Sequence, residues 1–413
     1  MNFYRLLASS TETTVLVIGG GYLGISAVKS LHSRYAQYLE KSKQNDPPKL
    51  RIHLVEPKSG LLNVLGMLKS AVDVKFAATQ YIDYSDLQVP WTSVILQYSS
   101  VLDKFQAKHS SVQKESQHEL ELVYVQGKVT SLGSNSAKVT LEQEPNERDL
   151  PEEAIINFQY CILATGRNRL WPATPLAQTK TLFLKEVQKF HDYLLDKKII
   201  SVVGAGAVGI EFAGDIKHHF PEKAIQLIHP HKTFPPENLT NEFKEAVKKS
   251  LVDSGVKIIY KRIALSAENG DLTTTDGEVI KSDYTFWATS HRNNYEFLEQ
   301  DFQQRYVNTK GDLTTNEYLQ LSDGVTTIAN IFATGDLMEA ENVIKSAGMA
   351  MYTGMSAANS VVSLHTTGCA GEPIPKRAPK GMLIVAGNGD VVLQNGTDVA
   401  VNLPHYVEEF KDY

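Results

Sequence analysis

Cysteine is nearly absent from this 413-residue chain, which contains only Cys161 and Cys369. The two residues lie too far apart in sequence to form the C-x-x-C or C-x4-C motif of a redox dithiol. So few cysteines also exclude a disulfide-rich scaffold and favour a reducing compartment. Cys161 lies in an apolar run, where we expect a buried, unreactive thiol. The adjacent His218 and His219 lack the i,i+4 spacing of metal ligands, so the sequence predicts no metal site.

Long hydrophobic runs and excess positive charge are also missing. No run of about 18 apolar residues exists, so we expect no membrane-spanning segment. The 41 basic and 47 acidic residues give a net charge of −6, which argues against a nucleic-acid partner. Residues 1–7 are too short and weakly charged for a convincing signal or transit peptide, and Asn2 excludes N-myristoylation. These features predict a cytoplasmic protein with at most peripheral membrane contact; a mitochondrial or lipid-droplet location is the alternative.

The sequence contains two copies of the glycine pattern G-x-G-x-x-G. The pattern is formed by Gly19, Gly21 and Gly24 in the first copy and by Gly204, Gly206 and Gly209 in the second. Each copy follows an apolar run and precedes apolar residues at helical spacing. In that context the first glycine permits a tight turn, the second admits a pyrophosphate, and the third lets helix and strand pack closely. The chain is therefore expected to bind two dinucleotides, each at a helix N-terminus.

The residue that ends the second strand of each unit differs between the copies. The first such strand ends in Glu56, whose carboxylate is placed to accept hydrogen bonds from an adenosine ribose. The second is followed by His229, His231 and Lys232, without a carboxylate. A 2′-phosphate would meet no repulsion there and could be attracted by the basic residues, so we expect NADPH to be accepted at least comparably to NADH. The alternative is that these are loop residues with no binding role.

Two more apolar strands end in short motifs. One ends in Ala164, Thr165 and Gly166, and the other in Gly335 and Asp336, which precede a Gly/Ala/Met-rich helical segment. A looser copy of the Ala-Thr ending occurs at residues 288–289. In this order and spacing the chain resembles the pyridine-nucleotide-disulfide-reductase-like flavoproteins. The resemblance implies that Asp336 binds the FAD ribitol, that the Ala-Thr-Gly ending lies beside FAD, and that the following helix points its N-terminus at the flavin.

Within that superfamily, residues 14–362 resemble the apoptosis-inducing-factor homologue group, which includes the ferroptosis suppressor proteins; type II NADH dehydrogenases are one step further. Glu56-Pro57-Lys58 matches the group at the first acidic strand end. The likeness implies that Lys58 belongs to the FAD site and that Lys69 is a basic residue on a helix near the flavin. It also matches Lys345 to a basic residue at the start of the helix after Gly-Asp.

Two residues are candidates for a catalytic role. The resemblance implies that Glu211 contacts the nicotinamide amide and orients the ring against the flavin. Its alternative role is a favourable interaction with the helix dipole. Lys345 could stabilise reduced flavin or donate near the acceptor, and a solvated lysine is the alternative. Since hydride transfer needs no side-chain acid or base on the nicotinamide, positioning is what we expect the protein to contribute.

The order of the motifs predicts an α/β fold with two Rossmann-like, doubly wound, three-layer nucleotide-binding domains. The FAD domain is expected to be discontinuous, formed by residues 1–170 and 291–365, with the NAD(P) domain, residues 171–290, inserted between its parts. Residues 366–413 are expected to form a small C-terminal module near the flavin. The length suits two or three domains rather than one core.

The resemblance implies an FAD-dependent NAD(P)H oxidoreductase that reduces a small-molecule acceptor of the quinone type. Without a dithiol, the flavin must pass its electrons directly to the acceptor, which is a quinone or oxygen. Two alternatives remain: a reductase of a protein electron carrier, and a non-catalytic redox-sensing flavoprotein.

Overall fold

A computed structural model describes most of the chain, with ten described ranges: 3–6, 12–42, 48–95, 99–108, 119–142, 152–267, 270–289, 291–339, 345–374 and 381–410. The strands in the first half of the chain are β1 (Phe3–Leu6), β2 (Glu12–Ile18), β3 (Lys49–Glu56), β4 (Gly60–Leu62), β5 (Tyr81–Asp83), β6 (Ser93–Ile95), β7 (Leu120–Leu132), β8 (Ser136–Leu141), β9 (Glu153–Asn157), β10 (Tyr160–Leu163), β11 (Arg167–Arg169), β12 (Ile199–Val203) and β13 (Ala224–Ile228).

The strands in the second half are β14 (Lys257–Ile259), β15 (Ile263–Ser266), β16 (Leu272–Thr274), β17 (Val279–Ile280), β18 (Tyr284–Trp287), β19 (His291–Asn293), β20 (Gln320–Ser322), β21 (Thr327–Ala333), β22 (Gly381–Val385), β23 (Val391–Asn395) and β24 (Asp398–Val401). The α-helices are α1 (Tyr22–Lys41), α2 (Met67–Ser70), α3 (Val74–Ala77), α4 (Ser99–Lys108), α5 (Lys180–Leu195), α6 (Ala207–His219), α7 (Asn241–Asp253), α8 (Gln300–Tyr306), α9 (Ala347–Thr367) and α10 (Pro404–Phe410).

The first sheet has a parallel centre in the order β7-β3-β2-β10-β21, and antiparallel strands flank it on both sides. β2 shows why its sequence is continuously apolar. Val15 and Val17 enter the core formed with α1 and α9, whereas Leu16 and Ile18 enter the core on the opposite face. A parallel strand covered on both faces has no polar side.

The second sheet is smaller and all parallel, in the order β14-β13-β12-β18. Its strands all come from the part of the chain between β10 and β21 of the first sheet. The chain leaves the first sheet through β11 and returns through β19, and these two strands pair antiparallel. The predicted α/β fold, with one parallel unit inserted in another, is confirmed, while the exact domain boundaries stay a prediction.

The C-terminal segment forms a three-stranded antiparallel sheet, β22-β23-β24. It packs on α6 and α7 of the inserted unit. A Cβ on Gly214 would lie 2.9 Å from the Ala386 carbonyl oxygen, so α6 and the β22–β23 turn meet backbone to backbone. The Ser250 hydroxyl donates to the Gly387 carbonyl at 2.7 Å. The module is therefore a close neighbour of the second glycine pattern through α6.

Candidate dinucleotide-binding site

The first glycine loop joins β2 to α1. Gly19 has a φ of +102°, which L side chains rarely adopt, and its N–H donates to the Val55 carbonyl at 2.9 Å. A Cβ on Gly24 would lie 1.8 Å from the Gly19 carbonyl oxygen. Helix and strand could not approach this closely with any other residue at Gly24.

The second loop joins β12 to α6 and repeats these contacts. Gly204 has a φ of +110°, and its N–H donates to the Ile228 carbonyl at 2.8 Å. A Cβ on Gly209 would lie 1.9 Å from the Gly204 carbonyl oxygen. The two loops therefore share one architecture, as the repeated spacing predicts.

The middle glycines differ from the outer ones, because a Cβ on Gly21 or Gly206 would meet no atom within 4 Å. Each is the N-cap of its helix, has no side-chain cap, and precedes a first turn without an acidic residue. The open space, and a helix N-terminus that carries neither a side-chain cap nor an acidic residue, fit a pyrophosphate at each loop. The outer glycines serve packing, and the middle glycines leave room for a ligand.

The Ala-Thr strand ends explain why the outer glycines are needed. A Cβ on Gly19 would lie 2.5 Å from the Ala164 carbonyl oxygen, and a Cβ on Gly204 would lie 2.7 Å from Thr289 Cγ2. Ala288 lies 3.1 Å from the Cβ position of Gly209. The looser motif at residues 288–289 is thus the structural counterpart of residues 164–165.

Glu56 and His229 occupy equivalent positions at the ends of β3 and β13. The Glu56 carboxylate accepts the Gly20 N–H at 2.7 Å and the Lys58 N–H at 3.0 Å. His229 Nδ1 accepts the N–H of Ala205, the matching loop residue, at 3.4 Å. Burial and then the charge of His231 lower the pKa of His229, which favours the neutral ring. Lys232 is exposed, so it places positive charge at the surface near this strand end.

Tyr84 is part of the first loop's surroundings, although sequence patterns gave no sign of it. Its buried hydroxyl donates to the Gly20 carbonyl at 2.6 Å, while the Gly20 N–H is held by Glu56. The phenol packs edge-to-face on Tyr124, with ring centroids 4.9 Å apart. The N–H and the carbonyl of Gly20, which belong to successive peptide groups of the loop, are therefore both hydrogen-bonded to side chains.

The second motif pair lies at the ends of β10 and β21. Gly166 and Gly335 both have positive φ, and a Cβ on Gly166 would meet no atom within 4 Å. The Asp336 carboxylate lies 3.1 Å from Arg167 Nε, a residue that sequence reasoning did not select although it follows Gly166 directly. Lys345 Nζ contacts Asp312 at 2.7 Å and the Asp336 carbonyl at 3.1 Å. Lys345 is therefore held in an ion pair and is not a freely solvated lysine.

Glu211 is the fifth residue of α6 and has a neighbouring carboxyl one turn later. Although Glu211 keeps some exposed surface, its carboxyl group is enclosed. Burial, and then the Asp215 charge, raise the pKa of Glu211 to about 8. A hydrogen bond from the Val385 N–H acts in the opposite direction and lowers this pKa. Burial raises the pKa of Asp215 to about 7, and the nearby Lys69 on α2 opposes this. The structure thus sets Lys69 beside Asp215 and joins Glu211 to the C-terminal module through Val385.

The thiol chemistry agrees with the sequence pattern. Cys161 and Cys369 are both free; Cys161 is buried in β10, and burial raises the pKa of its thiol well above the ordinary value.

Among the described residues, no group of three His, Cys, Asp or Glu side chains could hold a metal ion. The helices within the described ranges are too short or too polar to cross a bilayer.

The family model described as pyridine nucleotide-disulphide oxidoreductase matches residues 13–354. The chain belongs to this family. It is 25% identical over 374 residues to Oxidoreductase OXR1 of Ajellomyces capsulatus, covering 84% of this chain and 73% of that protein. It is 24% identical over 403 residues to ferroptosis suppressor protein 1 of Xenopus tropicalis, covering 92% of this chain and 88% of that protein. The resemblance inferred from the motifs is confirmed.

Solved structures agree with the family fold. NDH2 from Plasmodium falciparum, solved in complex with NADH, superposes with a TM-score of 0.66 at 12% identity. The match covers 97% of this chain and 93% of that one. At this identity the likeness concerns the fold alone. It extends beyond the family match to the C-terminal part of the chain.

Tyr84→Phe tests whether the buried phenol prepares the first loop for its ligand. The substitution leaves the Gly20 carbonyl without its partner, and we expect FAD to bind about tenfold more weakly, or about 1.4 kcal/mol. Fluorescence titration of the flavin-free protein with FAD measures this. Tyr81→Phe is the matched control, because the Tyr81 hydroxyl donates to the Gln178 carbonyl at 2.9 Å and not to the loop. Equal affinities in the two variants would contradict the assignment.

Glu211→Gln tests the pKa of the buried carboxyl through stability. In the folded protein the pKa of Glu211 is about 8, whereas in the unfolded chain the carboxyl has its ordinary pKa of 4.5 and releases its proton above that pH. Between these values the unfolded state binds fewer protons, so this group's contribution to stability falls as the pH rises. Glu211→Gln removes that dependence, and its free energy of unfolding should rise relative to wild type from pH 5 to pH 8. Urea unfolding at several pH values measures it, with the exposed Glu245→Gln as control; parallel curves would contradict the assignment.

Proposed function

We propose that this chain oxidises NADH or NADPH through a non-covalently bound FAD and passes the electrons directly to a quinone-type acceptor or oxygen. The observation that carries the proposal is the pair of equivalent glycine loops in one chain, each with an open middle glycine. The absence of a cysteine pair supports direct transfer, since both cysteines are free and one is buried. Family membership supports the oxidoreductase class.

Several residues would hold FAD at the first loop. Gly19, Gly21 and Gly24 would admit its pyrophosphate, and Glu56 would bind the adenosine ribose, as its position at the end of β3 supports. Asp336 would bind the ribitol, with Arg167 holding its carboxylate in place. The N-terminus of α9, which begins at Ala347 without an acidic first turn, would face the flavin.

NAD(P)H would bind at the second loop, through Gly204, Gly206 and Gly209. When bound, FAD supplies a two-electron acceptor for the nicotinamide hydride. Glu211 would orient the nicotinamide. At neutral pH its carboxyl is largely protonated and could donate as well as accept a hydrogen bond. Lys345, fixed by Asp312, would keep a positive charge near the flavin end of the site.

A pair of matched substitutions tests the assignment of the two loops. Gly206→Val should leave FAD bound but abolish flavin reduction by NADH and NADPH, because the side chain fills the space for the second pyrophosphate. Gly21→Val should instead lose FAD. Both middle glycines have open surroundings and ordinary φ, so neither change disturbs packing. Absorbance spectra and anaerobic titration with each nucleotide measure both effects.

The same titration separates the proposed activity from its alternatives. Wild type should be yellow, should bleach rapidly with NAD(P)H, and should regain colour rapidly with a soluble quinone or oxygen. Rapid bleaching without rapid reoxidation would instead favour a redox sensor. Protein that stays colourless after reconstitution with FAD would contradict the proposal.

The nicotinamide nucleotide preference is a separate prediction. Because His229 stands where a carboxylate would repel a 2′-phosphate, we expect NADPH to be used at least comparably to NADH. His229→Glu restores the repulsion and should shift the kcat/KM ratio toward NADH by about tenfold or more, or about 1.4 kcal/mol. Lys232→Ala should reduce the use of NADPH alone. A wild-type preference for NADH above about a hundredfold, unchanged in His229→Glu, would contradict this reading.

A further inference from the structure

The chain crosses between the two parallel units through two adjacent segments. β11 runs from the first sheet toward the second, and β19 returns. The two strands pair antiparallel, with Arg167 opposite Asn293. The residue that follows β19 is Asn294, at the point where the returning chain meets the end of β10.

Asn294 is bonded to the outgoing segment by four hydrogen bonds. Its N–H donates to the Gly166 carbonyl at 3.0 Å. Its Nδ2 donates to the Thr165 carbonyl at 3.0 Å and to Asn168 Oδ1 at 2.9 Å. Its carbonyl accepts the Thr165 hydroxyl at 2.6 Å. No pattern in the sequence singled out this asparagine.

The bonded segment packs directly on the first glycine loop. A Cβ on Gly19 would lie 2.5 Å from the Ala164 carbonyl oxygen and 3.1 Å from Thr165 Cα. The returning segment packs in the same way on the second loop, where Thr289 Cγ2 is 2.7 Å from the Cβ position of Gly204. Thr289 precedes Asn294 by only five residues. The hydrogen-bonded Asn294 is therefore close in sequence to the contact on the second loop, and its partner Thr165 contacts the first loop.

We propose that Asn294 is a positioning residue that fixes the second dinucleotide loop relative to the first and so sets the distance over which hydride passes to the flavin. The inference rests on the proposed function. Hydride transfer needs the reacting atoms about 3 to 3.5 Å apart, and a displacement of about 1 Å can cost about a hundredfold in rate. Loss of the Asn294 side chain removes the two Nδ2 bonds and leaves the two backbone bonds. Since α2 also packs on α6, the units loosen without separating.

The test compares flavin-loaded wild type, Asn294→Ala and Asn330→Ala. Asn330 is the control because its Nδ2 bonds the Ser134 carbonyl, away from the crossing. In Asn294→Ala we expect flavin reduction at saturating NADH or NADPH to slow by about tenfold to a hundredfold. The deuterium isotope effect on this step should become more temperature-dependent, because the transfer distance is less fixed. Asn330→Ala should behave as wild type in both measurements.

Hydrogen exchange of the same proteins gives a readout that does not depend on turnover. Residues 160–169 should exchange faster in Asn294→Ala and not in the control. Should Asn294→Ala fail to fold, Asn168→Ala replaces it. Asn168→Ala removes only the exposed hydrogen bond that Asn294 Nδ2 donates to Asn168 Oδ1, so it should slow reduction less. A wild-type rate, or a slower rate with an isotope effect whose temperature dependence is unchanged, overturns the proposal. If neither nucleotide reduces the wild-type flavin, the proposed function fails. In that case hydrogen exchange alone tests this inference, and unchanged exchange of residues 160–169 in Asn294→Ala overturns it.

Discussion

The close packing of each Ala-Thr strand end on a glycine loop is the constraint on which the rest of the structure depends. Gly19 and Gly204 have positive φ, and a side chain on either would strike the neighbouring strand. Gly24 and Gly209 let each helix approach its own loop so closely that a Cβ at either position would overlap a loop carbonyl oxygen. Because the outer glycines are used for packing, the helix N-termini and the open middle glycines are held at fixed places at the carboxyl ends of the strands.

The two units keep this scaffold but differ in the group at the end of their second strand. Glu56 gives the first loop a carboxylate with two backbone donors, and His229 gives the second a ring whose pKa is lowered by burial. The same position therefore carries a carboxyl group in one unit and an imidazole ring in the other. This difference supports the proposal that the second loop tolerates a 2′-phosphate on the ribose.

Local patterns predicted the fold and the loops, because glycine spacing and continuous apolar strands are properties of short segments. The confirmed α/β fold with an inserted parallel unit followed from the order of those segments. Residues whose roles depend on long-range contacts escaped prediction: Tyr84, Arg167 and Asn294 act across 64, 169 and 129 positions of sequence. Lys69 lies near the buried carboxyl of Asp215 in the other unit, which no local pattern indicates.

We propose that a single flavin takes the electrons of NAD(P)H and passes them on without a protein dithiol. An anaerobic titration that counts the electrons taken up per bound FAD tests this most directly. We expect two electrons per FAD to reduce the holoprotein fully, because the two cysteines of the chain are both free and far apart in sequence. Uptake of four electrons per FAD, with two of them held by a protein disulfide, would contradict it.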